Sequence, residues 1–199
     1  MKKILFIILI AILMIPTGVM AQMVYVNSGK VIMDVRGGEG VGLPAAVVTS
    51  TKKYQGAAYD NPSVTSTLPS NLIAGTNTTN VSVYELLEIA PRDMSSTGSL
   101  VAAGSVGDDM NWVDAYTRCR NLTYNGTGWR LPTQRELMLL FIFKPAVDFL
   151  SGTAFAAATY WHGNEINAGF NLPINFTNGF TPSSAKTVSH KARCVRELP

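Results

Sequence analysis

Trp112-Val113-Asp114-Ala115-Tyr116-Thr117-Arg118-Cys119 and, past an Asn-Gly turn, Gly128-Trp129-Arg130-Leu131-Pro132-Thr133-Gln134-Arg135-Glu136-Leu137 decide the fold. Trp112, Ala115, Tyr116 and Cys119 recur at i, i+3, i+4 and i+7, which is one face of a helix. Asn111 supplies its cap and Asp114 its third helical position. Thr133-Gln134-Arg135-Glu136 is a capping box, with the entry set by Pro132. Leu137 to Phe143 is apolar on nearly every side, so that helix is expected to be buried on most faces. Lys144-Pro145 should end it. From Thr153 onward short apolar runs alternate with Gly, Asn and Pro turns, up to a last strand at about His190 to Glu197. Two helices followed by short strands make an α+β pattern.

Working outward, the first 21 residues read as a targeting segment. Lys2 and Lys3 precede an apolar run from Ile4 to Ile15, Pro16 and Gly18 break it, and a cut is expected after Ala21. The run is shorter than the roughly 20 helical residues that span a bilayer. Cleavage removes two lysines and no acid, which leaves 14 basic against 13 acidic residues. Such balance gives no electrostatic case for nucleic acid or for an anionic membrane surface. No later apolar run is long enough for a transmembrane helix, so an extracytoplasmic location is expected: secreted, periplasmic or at the cell surface.

Cys119 and Cys194 are the two cysteines. In an oxidising compartment an even pair defaults to a disulfide, with two free thiols as the alternative. Closing a loop of that length stabilises a fold by about 4 kcal/mol on the chain-entropy model. Neither cysteine has a CxxC partner, and His162 and His190 are not at ligand spacing, so no metal site is expected.

Residues 22–80 form a separate segment in this reading. Val24-Tyr25-Val26 and Val31 to Val35 flank the turn residues Asn27-Ser28-Gly29-Lys30, a β-hairpin signal. Residues 37–80, rich in Gly, Ser, Thr, Asn and Pro, read as loop or linker. Gly40-Val41-Gly42 is not a dinucleotide loop, because no βαβ unit follows. The compact domain is expected to run over 81–199. Within it Val83 to Ile89 is open between strand and helix, since apolar residues occupy both parities.

The constellation Asn111-Trp112-Val113-Asp114-Ala115, Cys119, Gly128 to Thr133, Glu136-Leu137, Tyr160-Trp161 and Arg193-Cys194-Val195-Arg196 resembles an exported bacterial family. It is similar to the C-terminal domain of the Legionella collagen-like adhesins and to the Fibrobacter succinogenes major paralogous domain. The resemblance covers about residues 82–199. It implies a C-type-lectin-like fold, shared with sulfatase-modifying proteins, in which a disulfide ties the first helix to the last strand. It also implies structural roles for Trp112, Trp129, Arg130, Leu131, Pro132, Thr133 and Glu136. Calcium-dependent lectins carry Glu-Pro-Asn or Gln-Pro-Asp with Trp-Asn-Asp, and this chain has neither. Calcium takes roughly six to eight oxygen ligands, and residues 160–185 supply one acid, Glu165.

Trp161, His162, Asn164, Glu165, Asn171 and Asn175 are the candidate ligand-binding residues. An aromatic face to stack on a sugar and amides to bond its hydroxyls is the chemistry such a surface uses. His162 is more simply a satisfied histidine than a base, and His190 should be exposed. Arg118, Arg120, Arg130 and Arg135 read as ordinary surface charge, and Asp108-Asp109 as a solvated loop. With both cysteines in a structural bridge none is left for catalysis, so no catalytic residue and no cofactor is expected. The expected function is a non-enzymatic, adhesin-like binding module for glycans or matrix components. The alternative is a structural or assembly subunit of a fimbria or envelope complex, docked through residues 22–80.

Overall fold

The structure, a computed structural model, describes residues 24–34, 86–164 and 169–198. The expected signal peptide and the 37–80 linker lie outside those residues. The described elements are β1 (Val24–Asn27), β2 (Lys30–Asp34), β3 (Leu86–Ile89), α1 (Trp112–Asn121), α2 (Gln134–Ile142), α3 (Lys144–Ser151), β4 (Thr159–Tyr160), β5 (Phe170–Asn171), β6 (Ile174–Asn175), β7 (Ser184–Ala185) and β8 (Val195–Glu197). The fold is α+β, with one four-stranded antiparallel sheet and two short two-stranded ribbons.

The hairpin forms as its turn chemistry predicts. Ser28 and Gly29 both take positive φ, the two-residue connection whose twist matches the flanking strands. It does not stand apart, however. The sheet order is β1-β2-β3-β8, with Met33 opposite Leu87 and Ile89 opposite Val195. Val24, Val31 and Met33 join Leu87, Ile89 and Val195 in one core. The domain that sequence places at 81–199 therefore takes two of its four main-sheet strands from residues 24–34. Burial of those apolar residues is the reason, since a lone hairpin is marginal in water.

Residues Leu86–Ile89 are strand, which settles the open reading of that stretch. Leu87 and Ile89 face the core, while Glu88 turns to the other face and meets its cross-strand neighbour Arg196 at 2.7 Å. Arg196 lies over the Trp129 ring, 4.6 Å from its centroid.

Both expected helix caps are in place. Asn111 Oδ1 accepts from Asp114 N at 2.9 Å, and Thr133 and Glu136 cap each other reciprocally. One correction applies beyond them. Lys144-Pro145 ends α2 but also opens a third helix, α3, because proline suits a first helical turn whose N–H groups have no partner anyway. Gly152 closes α3 in the left-handed conformation. The α2 helix is buried on most faces as expected, with Ile142 at its end 57% exposed.

Two cores result. One gathers the sheet, α2, α3 and the ring cluster Phe155, Tyr160 and Phe176. The other surrounds α1 with Trp112, Trp129, Trp161 and the Cys119–Cys194 disulfide, which spans 75 residues. The last strand is shorter than expected. His190 and Lys191 form only single bridges, to Met110 and Tyr160, before Val195 enters the sheet. Arg130 and Val195 exchange both backbone bonds, at 2.8 and 2.9 Å, which fastens the Trp129-Arg130-Leu131 stretch to the chain's end.

Candidate functional site

The candidate ligand residues separate into two groups. Trp161, His162, Asn164 and Asn171 are buried, none more than 1% exposed. Trp161 Nε1 donates to Met110 O at 2.8 Å, and the ring packs edge-on to His190. The His162 ring is fixed at both nitrogens: Nε2 donates to Leu172 O at 2.7 Å and Nδ1 accepts from Asn164 N at 3.1 Å. Burial lowers its pKa to about 4, against the upward pull of those two bonds, so the imidazole is neutral at physiological pH. Asn164 Oδ1 accepts the α2 amide of Gln134 at 2.7 Å, and Asn171 Nδ2 donates to the carbonyls of His162 and Asn164. Trp112 Nε1 donates to the same His162 carbonyl at 2.8 Å. These four side chains form a latch that holds 161–164 against α1 and the start of α2. The reading that they contact ligand is corrected, because a ring and amides sealed from solvent cannot stack on or bond a sugar. Glu165 lies outside the described residues.

Asn175 belongs to the second group. Its side chain accepts from Thr177 N at 2.8 Å, its backbone carbonyl from Gly179 N at 2.7 Å, and Asn178 Oδ1 accepts from Phe180 N at 3.0 Å. Gly179 seats against the Phe141 ring, where a Cβ would come within 2.7 Å. This braced turn raises Thr177, Asn178 and Phe180 to the surface, with Phe180 63% exposed. Phe180 was not among the expected site residues. The available signal was an aromatic directly after an Asn-Gly turn.

The remaining motif residues hold the scaffold. Arg130 grips the buried Glu136 carboxylate with two nitrogens, at 2.8 and 3.0 Å, and reaches Glu197 at 3.4 Å. Trp129 Nε1 donates to Tyr124 O. Leu131, Pro132 and Thr133 are buried, and Pro132 O accepts from Gly163 N. Sequence reasoning missed a further buried unit. Asp93 accepts from Arg193 Nε at 2.6 Å and from Tyr160 Oη at 2.8 Å, while the Arg193 guanidinium covers the Phe155 ring. Burial, followed by the nearby Asp93 carboxylate, raises the Tyr160 phenol well above its usual range.

His190 is half-buried rather than exposed, with Ser184 Oγ 2.9 Å from Nε2. Burial lowers its pKa. Ser184 is only 8% exposed, and the neighbouring Asp109 carboxylate bonds Lys191 Nζ at 3.0 Å. Asp108 accepts from Ser96 N at 2.6 Å. Among the described residues no group of three His, Cys, Asp or Glu side chains is placed to hold a metal ion, and no helix is long and apolar enough to cross a membrane.

A disulfide-bonded α+β domain, with its tryptophans buried and a braced polar turn at its surface, defines a scaffold class rather than a reaction. Residues 92–196, more than half of the chain, match the model of the Lcl C-terminal domain, and the protein belongs to that family, a domain associated with adhesins. No curated protein matches the chain.

Proposed function

We propose that the protein is an extracytoplasmic, non-enzymatic binding module of the adhesin type, which takes glycan or matrix components at the 175–180 turn. The observation that carries this reading is the exposure of Phe180 beside Thr177 and Asn178 on a turn whose amides already brace its backbone. A ring carried on a braced backbone has less ordering entropy to lose on binding than one on a loose loop. Membership of an adhesin-associated family supports the same class. The C-type-lectin-like reading is supported by the bridge from α1 to the segment entering β8, and by a main sheet that unites N-terminal and C-terminal strands. Purified, oxidised protein on an array of glycans and matrix proteins tests it. Saturable binding to a defined class is the expected result, and a blank from folded protein rejects it.

The second reading is an assembly subunit of a surface fibre or envelope complex. The hairpin expected to dock a partner is committed to the sheet, so this reading rests on the outer edge of β1, which pairs with β2 on one side alone among the described residues. Co-purification of a stoichiometric partner, lost when Val26 is changed to proline, is its expected signature.

A further inference from the structure

The sequence contains two Asn-Gly pairs, Asn125-Gly126 and Asn178-Gly179. Both asparagines are exposed on turns. An asparagine followed by glycine is prone to cyclise, because glycine has no side chain to hinder its nitrogen's approach to the asparagine Cγ. The two pairs are held very differently. Asn178 Oδ1 is engaged by Phe180 N, and Gly179 N by Asn175 O at 2.7 Å. The Phe141 ring closes against Gly179 as well. At the other pair, Gly126 N makes only a long bond, 3.3 Å to Thr123 O. Asn125 takes a left-handed φ of 49°, the third position of a turn, and no hydrogen bond holds its side chain among the described residues. The Arg196 guanidinium stands beside this peptide, with Nη1 2.8 Å from where a Gly126 Cβ would sit. A nearby positive charge favours loss of the amide proton.

We propose that Asn125 is a site of spontaneous deamidation and that Asn178, in the same dipeptide, is protected by the fold. Gly126 N gives its proton to solvent base and bonds to Asn125 Cγ. The Cγ–Nδ2 bond breaks, and Nδ2 leaves as ammonia after taking a proton from water. Water then opens the five-membered imide at either carbonyl to give aspartate or isoaspartate, with no change in oxidation state. The product carries a new carboxylate beside Arg196, which already joins Glu88 and the Trp129 ring.

The test holds the purified full chain in mildly alkaline buffer and follows both peptides by digestion and mass spectrometry, with isoaspartate detection. In folded protein Asn125 should convert about tenfold or more faster than Asn178, since two hydrogen bonds must break at the latter. After reduction and denaturation the two rates should converge. Asn125→Gln, whose extra methylene allows only a slower, six-membered cyclisation, should remove the 125 product and leave Asn178 unchanged. Equal or faster conversion of Asn178 in folded protein, or a rate difference that persists after denaturation, would overturn the proposal.

Discussion

Trp161 to Asn164 with Asn171, and Asn175 to Phe180, use the same residue types, aromatic rings and asparagine amides, within one stretch of chain. Their fates are opposite. The first set turns inward, bonded within itself by His162, Asn164 and Asn171 and tied to the scaffold at Met110 O, Gln134 N and Leu172 O. In the second set the Asn175 and Asn178 side chains bond within their own turn, and Phe180 is left in solvent. Composition therefore did not distinguish a latch from a surface. The distinguishing feature is where the side-chain partners lie: those of the first set include Met110 and Gln134, 51 and 30 residues away, and those of the second lie two residues away.

The largest contrast should appear on truncating one ring from each set. Trp161→Ala is expected to lower unfolding free energy by about 3–5 kcal/mol in urea titration, because it empties a fully buried ring site and removes the indole bond to Met110 O. Next is the pH response of the latch. His162 titrates near 6.5 when unfolded and at about 4 when folded, so its neutral form stabilises the fold fully above pH 6.5. That contribution is lost as pH falls towards 4, and amounts to roughly 3 kcal/mol. The His162 ring resonance, followed by NMR, should show no protonation until near pH 4. A midpoint near 6.5 would break the assignment of His162 to the sealed interior. Asn164→Ala removes the side chain that accepts from Gln134 N at the start of α2, and should cost about 1 kcal/mol. The smallest effect belongs to the exposed set, where Phe180→Ala should leave stability within about 0.5 kcal/mol of the parent.

How far sequence carried these conclusions follows the same division. Asn111, Thr133 and Glu136 announce their helices because a cap's partners lie three residues away. The cysteine pair was legible by count and compartment. The third helix was not, because Lys144-Pro145 reads equally as the end of one helix and the first turn of the next. Nor was the hairpin's place in the main sheet, since the partners of Val31 and Met33 are Ile89 and Leu87, far along the chain. The Asp93–Arg193 pair bridges 100 residues and left no local pattern. At the proposed site the presence of amides and rings was legible, but which of them reach the surface was not. Four of the six chosen residues proved to be latch, and the exposed ring, Phe180, carried only the weak mark of a preceding Asn-Gly.

The most direct measurement is array binding by wild-type protein and by Phe180→Ala, both first shown to unfold with the same stability. Saturable glycan or matrix binding is expected of the wild type, weakened about tenfold or more in the variant, as for a buried aromatic contact worth more than 1 kcal/mol. Undiminished binding by Phe180→Ala would remove the turn as the contact surface, and no binding by the folded wild type would contradict the module itself.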